Sequence, residues 1–253
     1  MRIASLSPAT TEILFRLEQG KHVVCVDRFS DVPEQAAALP RLQGHGKIDI
    51  EALRSFQPEI VFTGAGIQTK IGDTLKSAGI AVIHQAPKSL ADVYVSIREI
   101  GMLLGCEARA QALEQTMRQE CNDVHRKAGM LPRKPKVYVE EWSDPPMVSG
   151  NWVPDIVMCA GGLSFPLPAG SPSREVTLEE VRTFDPDLIV LSICGAGLNA
   201  SRDVLLSRSG WSALRAAQEG HVFVIDDSLL NRPGPRLPEG ARRLFGWMFQ
   251  SLH

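Results

Sequence analysis

Glu51-Ala-Leu-Arg-Ser-Phe-Gln-Pro-Glu-Ile-Val61 returns 128 positions later as Glu179-Glu-Val-Arg-Thr-Phe-Asp-Pro-Asp-Leu-Ile189. In both copies a short amphipathic helix stops before a proline, whose ring disfavours helical backbone in the residue ahead of it. An apolar run follows, 60–63 in one copy and 188–193 in the other, and each ends in a glycine turn, Gly64-Ala-Gly66 or Gly195-Ala-Gly197. An apolar run bounded by proline and glycine reads as a buried strand entering a turn. The chain therefore reads as two related halves, each holding part of an α/β unit. Ligands collect at the carboxyl ends of the strands in open parallel sheets, so the two turns are expected to line one cleft. A second reading stays open: the repeat serves folding alone, since glycine after a buried strand is ordinary turn chemistry.

Outward from the first copy, strands are expected over 3–6, 23–26, 60–63 and 80–83, with helices over 10–17 and 50–56 between them. This β-α-β alternation predicts right-handed crossovers and a mostly parallel sheet. Ser89-Leu-Ala-Asp92 has capping-box character, and Val93, Ile97, Ile100 and Leu104 keep helical spacing up to Gly105. A second helix over 107–127 is about 30 Å long at 1.5 Å per residue. The Gly/Pro/Lys/Arg-rich stretch 129–135 then leads to a new strand at Val137-Tyr-Val139. Further strands are expected over 188–193 and 222–225, and helices over 154–160, 178–184 and 240–252. The fold class is α/β, two Rossmann-like lobes with parallel sheets joined by a single long helix. Its divisions are an N-terminal lobe 1–105, a linking helix 106–129 and a C-terminal lobe 130–253. One rigid helix as the link predicts small domain motions.

A chain of 253 residues holds one large core or two of about 120 residues. Its net charge of −2, pI of 6.3 and lack of any basic block exclude a sequence-independent grip on nucleic acid. No apolar run approaches the ~20 residues that span a bilayer. Met1-Arg-Ile-Ala-Ser-Leu-Ser-Pro8 enters a strand without the basic, apolar and cleavage segments of an export signal. Cys25, Cys106, Cys121, Cys159 and Cys194 form an odd, scattered set without metal-ligand spacing. On these grounds the chain is expected to be a cytosolic monomer with reduced thiols that takes a small-molecule ligand; the alternative is a periplasmic or cell-surface protein whose leader is missing from this sequence.

Several residues carry candidate chemistry, each with a plainer alternative. Glu140 and Glu141 are strand neighbours and point to opposite faces, so they cannot share one substrate bond; Glu141 is read as orienting Trp142 or bonding ligand amides. Trp142 and Trp152 either form flat walls of a site or pack under a loop. His45, in Gly44-His-Gly46, and His84, at a strand's carboxyl end, are metal-donor candidates or surface and capping residues. Cys194 lacks any local nucleophile signature and reads as a buried thiol. The prolines of Asn231-Arg-Pro-Gly-Pro-Arg236 hold two guanidiniums beside the last strand. The glycine turns lack the third glycine and downstream acid of a dinucleotide fold, and no phosphate loop or serine elbow occurs. No catalytic residue, and no protein-held metal, is expected.

These features in order resemble the helix-linked, two-lobed substrate-binding proteins of vitamin B12 and siderophore ABC uptake, the cobalamin-binding branch most closely. The resemblance rests on Ile3-Ala-Ser-Leu-Ser-Pro-Ala-Thr-Thr-Glu-Ile-Leu14, Ile48-Asp-Ile-Glu51, Glu140-Glu-Trp-Ser-Asp-Pro-Pro146, Gly150-Asn-Trp152, Ala160-Gly-Gly162 and Asn231-Arg-Pro-Gly-Pro-Arg236. It implies a corrinoid of the cobalamin type bound between the lobes and no enzymatic turnover. The contacts it implies are Ser7, Pro8, Asp27, Arg28, Phe29, Gly64, Ala65, Gly66, Trp142, Trp152, Cys194, Gly195 and Arg232. It also implies an ABC permease as partner, docked through an exposed glutamate on each lobe. Here those positions read Gln68-Thr-Lys70 and Asn199-Ala-Ser-Arg202, with Asp73 and Asp203 about a turn further on. Two other functions stay open: a siderophore or haem carrier, and an enzyme acting on a corrinoid or tetrapyrrole. Arg28, Arg232 and Arg236 against Asp27 and Asp144 give a charge balance suited to a neutral ligand.

Overall fold

The computed structural model describes residues 1–42, 48–64 and 68–252. Two compact units divide the chain: Met1–Pro87 with Val93–Gln115, and Lys88–Asp92 with Thr116–His253.

In the first unit β1 (Ile3–Ser5), α1 (Pro8–Arg16), β2 (Val23–Asp27), α2 (Glu34–Ala37), β3 (Arg41–Leu42), α3 (Ile50–Ser55), β4 (Ile60–Gly64), α4 (Thr69–Ser77) and β5 (Val82–Gln85) follow in order. The five strands form a sheet in the order β3-β2-β1-β4-β5, and every neighbouring pair is parallel. Ala4, Cys25 and Val61 on the strands meet Leu53 of α3 and Ile71 and Leu75 of α4 in one core. The chain winds from β1 to one edge and then returns to β4 on β1's other side, so the topological switch point lies between β1 and β4.

Two helices follow, α5 (Leu90–Leu103) and α6 (Glu107–Ala128). Ser89 Oγ accepts the Asp92 amide at 3.1 Å while Asp92 Oδ2 accepts the Lys88 amide at 3.0 Å, the capping expected from the sequence. With 22 residues, α6 is about 33 Å long and links the two lobes.

The second unit continues with β6 (Lys136–Ser143), β7 (Pro146–Val148), α7 (Val153–Cys159), β8 (Leu163–Ser164), β9 (Arg174–Glu175), α8 (Leu178–Phe184), β10 (Leu188–Leu191), α9 (Arg202–Leu206), α10 (Arg215–Gln218), β11 (Val222–Val224) and α11 (Leu237–Ser251). Its sheet runs β11-β10-β6-β7-β9, with β8 also on β6. The half built on β6, β8, β10 and β11 is parallel. The sheet as a whole is mixed, because β7 and β9 run antiparallel to their neighbours. Ser143-Asp-Pro-Pro146 folds back in a tight hairpin, which a parallel pair cannot use. Tyr138 packs against Phe165 and Trp211 in this core, ring centroids 6.0 and 5.9 Å apart.

The sequence repeat is a structural repeat. Helix α3 leads to β4 beside β1, and α8 leads to β10 beside β6. Gln57 and Asp185, at equivalent positions, both take positive φ, 48° and 49°, just before the proline. Asp49 caps α3, and a Thr177–Glu180 capping box starts α8.

Candidate functional site

In the first unit the loops at the switch point are built by short polar side chains. Ser7 caps α1 by accepting the Thr10 amide. Thr11 Oγ1 lies 2.8 Å from Ser5 Oγ and 2.7 Å from Ser30 Oγ, tying α1 to the turn after β2. Asp27 forms that turn: Oδ1 accepts the Phe29 amide at 2.6 Å and Oδ2 the Ser30 hydroxyl at 2.6 Å. Arg28 is left exposed, its guanidinium 4.4 Å from the centre of the Phe29 ring. A Cβ on Gly64 would meet Ser7 Oγ at 2.8 Å, so glycine lets β4 end against the β1 loop. Gln68 closes the arrangement, accepting the Gly64 amide at 2.7 Å and donating to the Leu6 carbonyl at 2.5 Å.

His84, the penultimate residue of β5, has both ring nitrogens engaged, Nδ1 at 2.9 Å from Thr63 Oγ1 and Nε2 at 3.4 Å from Thr69 Oγ1. Burial, then Lys76, lower its pKa, against a smaller opposing pull from Asp73. Its place in the fold is that of a strand-end capping residue. His45, Ala65 and Gly66 lie outside the described residues.

In the second unit the carboxyl end of β6 sits on a buried ion pair. Glu140 is fully buried and meets Arg208 through two bonds of 2.6 and 2.8 Å, while Tyr138 donates to it at 3.0 Å. Burial raises the Glu140 carboxyl, and Arg208 pulls it back. Glu141, on the other face, is half-buried and also raised by burial. Trp142 is 47% exposed, its indole held by a 2.9 Å bond from Nε1 to the Asp144 carbonyl. It belongs to β6 and not to a loop, since the strand continues three residues beyond Val139–Glu140 before the hairpin. Trp152 is only 6% exposed and donates to the Leu230 carbonyl at 2.7 Å, the geometry of a packing residue.

The second glycine turn is gripped by one carboxylate. Buried Asp227 accepts the Gly195 amide at 3.0 Å and the Gly197 amide at 2.8 Å, with both glycines at positive φ. Asn231 binds Ser192 through both ends of its amide and reaches Cys194 Sγ at 3.1 Å. Cys194 is exposed, a correction to the expected buried thiol: it lies beyond the end of β10, at the start of the glycine turn. Protein packed beneath it, and then the Glu141 carboxylate, push its pKa up. Arg232 and Arg236 are half-buried in the loop before α11. Asp227 was not singled out in the sequence, and Asn231 only as the first residue of the proline-rich motif 231–236, without this role. Spacing from the glycine turn gives no signal of them, because they arrive from the next strand's loop.

Gln68 is a buried pin and not a surface docking position, whereas Lys70, Asp73, Arg202 and Asp203 are exposed on α4 and α9. Among the described residues no cluster of three or more His, Cys, Asp or Glu could hold a metal ion, and no helix is long and apolar enough to cross a membrane.

A family model described as periplasmic binding protein matches residues 3–229. The chain belongs to that family. An uncharacterized ABC transporter substrate-binding lipoprotein of Bacillus subtilis (strain 168) is 28% identical over 251 residues, covering 96% of this chain and 78% of the relative. A vitamin B12-binding protein of Vibrio cholerae is 26% identical over 247 residues, covering 96% and 87%. Among solved structures, the periplasmic heme-binding protein RhuT from Roseiflexus sp. RS-1 superposes with a TM-score of 0.86 at 24% identity, covering 100% and 99%. This periplasmic binding protein is a non-enzymatic substrate-binding component of the ABC uptake kind. The family overturns the expected cytosolic location, since periplasmic binding proteins work outside the cytoplasmic membrane. None of the grounds for that expectation was diagnostic: the first residue of a sequence says nothing about a leader, and an odd, scattered set of cysteines does not fix the compartment.

Proposed function

We propose that this periplasmic binding protein carries a corrinoid of the cobalamin type. The observation that carries the reading is Trp142, a half-exposed indole fixed at the carboxyl end of β6 by the Asp144 carbonyl and backed by Arg208–Glu140. A corrin is a broad, largely apolar disc fringed with amides, and a held indole with polar loop groups beside it suits such a face. Glu141, the Gly195 turn and Arg232 supply polar groups in the same unit. Ser7, Pro8, Arg28, Phe29 and Gly64 stand at the strand ends of the other. The vitamin B12-binding relative supports this reading.

A haem carrier would ordinarily offer imidazole, phenol or thiolate to the iron. Both tyrosines are buried, with Tyr138 committed to Glu140. His84 has both nitrogens engaged, and the Cys194 thiol is pushed up. Of the other described histidines, His22 and His221 precede β2 and β11, at the amino ends of those strands, and His125 lies in the last turn of α6; His45 and His253 are outside the described residues. A corrinoid needs no such donor, because its cobalt keeps axial ligands of its own. Titration calorimetry and visible spectra with cyanocobalamin, cobinamide and hemin decide the matter. Stoichiometric binding of a corrinoid without chemical change is expected. Binding of hemin alone, or of nothing at about tens of micromolar, would sink the reading.

We also propose Asp73 and Asp203, exposed on α4 and α9, as the acids that meet an ABC permease. Charge reversal at either should abolish uptake in cells and leave corrinoid affinity unchanged; unimpaired uptake in the double reversal would refute the assignment.

A further inference from the structure

Five cysteines are thiols in this structure, and three of them, Cys25, Cys106 and Cys194, sit apart. Cys121 and Cys159 do not. Cys121 lies on the buried face of α6 that also holds Met117, Val124 and Ala128. Cys159 is the last residue of α7, and its Sγ donates to the Cys121 carbonyl at 3.3 Å across 38 residues of sequence. Two residues later the same two segments pack tightly: a Cβ on Gly161, where φ is 91°, would lie 2.5 Å from the Ala128 Cβ. Such close approach of two segments is what a disulfide requires, with Cα atoms about 4.4–6.8 Å apart. The Cys121 side chain is also the largest cause of the upward pKa shift of the Cys159 thiol, ahead of burial.

We propose that Cys121 and Cys159 are joined by a disulfide in the working protein, stapling α6 to the end of α7. The extracytoplasmic setting of the family supplies the oxidising compartment where such bonds persist. The oxidant is a disulfide donor of the oxidoreductase or glutathione class. The half-exposed Cys159, as thiolate, attacks one donor sulfur, forming a mixed disulfide and releasing one donor thiol. The Cys121 thiolate then attacks the Cys159 sulfur and expels the second donor thiol. Two protons pass from the protein thiols to the donor thiols, and two electrons reduce the donor bond. The raised thiol makes this slow in the folded protein, so the bond is expected to form mainly while the chain folds.

The test refolds the full-length chain in a glutathione redox buffer and maps it by mass spectrometry without reduction. The expected product has three titratable thiols in place of five, a mass lower by about two hydrogens, and a linked peptide pair holding Cys121 and Cys159. It melts several degrees above its dithiothreitol-reduced form, a gap absent in Cys121→Ser and Cys159→Ser. Five alkylatable thiols, a lasting glutathione adduct on Cys159, or a linked pair involving Cys194 would each overturn the proposal. None of these readouts depends on the corrinoid, so the two readings fail separately.

Discussion

Trp142 and Trp152 stand ten positions apart and do opposite work. Trp142→Ala removes a half-exposed indole, so it should weaken corrinoid binding by about 1–3 kcal/mol with almost no change in melting temperature. Trp152→Ala empties a buried pocket and orphans the Leu230 carbonyl, for a loss of about 3–5 kcal/mol in stability. Calorimetry paired with thermal melts separates the two, and equal affinity in Trp142→Ala would remove the indole from the site. The sequence leaves both tryptophans with the same two readings, wall of a site or packing under a loop, and does not tell them apart. What distinguishes them is a hydrogen bond to a residue 78 positions away, which no local pattern encodes. Asp27, a contact implied by the resemblance, carries a role that its neighbours in sequence do not announce: both of its oxygens accept bonds within the turn it forms. Arg208 is a residue whose removal costs as much, through charge and not volume. Arg208→Met would strand the Glu140 carboxylate in the core, with a loss of about 3–5 kcal/mol measurable by urea unfolding, and Glu140→Gln in the same background should restore part of it.

Elements were more legible than contacts. The repeated helix-proline-strand unit appears where the pattern puts it, because its signals are local: a cap, an apolar stripe and a proline stop. Helix α4 was missed, since Thr69-Lys-Ile-Gly-Asp-Thr-Leu-Lys-Ser77 shows only Ile71 and Leu75 as apolar anchors. The hairpin β6-β7 was missed because its prolines argue against strand on propensity alone. The joint between α8 and β10 carries a pH signature. Asp187 accepts two bonds from Arg133, at 2.6 and 2.7 Å, one from Arg215 at 3.0 Å and the Lys136 amide at 2.8 Å. Burial acts to raise its pKa, but these donors outweigh it and hold the carboxyl well below the usual range. A group depressed in the folded state contributes stability that is present above its unfolded pKa of about 3.9. That contribution is lost as pH falls through the lower folded value. Asp187→Asn should therefore cost about 1–3 kcal/mol near neutrality, discounted for the exposed Arg133, and flatten the fall in melting temperature below about pH 4. An unchanged acid limb would show that Asp187 is not the group responsible.

At the scale of the whole molecule, a ligand that binds only the native state raises stability by about 2.7 kcal/mol at a hundred times its Kd. A corrinoid-dependent rise in melting temperature is expected, following the concentration dependence set by the calorimetric Kd; a flat response at saturating ligand would contradict native-state binding. The mixed second sheet was not legible, because strand direction is decided by hydrogen-bond partners and not by composition. Connectivity has a consequence of its own for anyone who wants half of this protein. The polypeptide changes unit three times, after Pro87, after Asp92 and after Gln115, and the last change falls inside α6. Residues 88–92 are tied to the later unit by the bond from the Leu90 amide to Asp155 Oδ2, 2.7 Å long. No single peptide bond can thus be cut to yield two self-sufficient fragments. A clone ending at 115 carries an orphaned loop, and one starting at 116 lacks the five residues that cover its own Asp155. Complementation by two co-expressed pieces, and not expression of either alone, is how a divided version of this chain would have to be made.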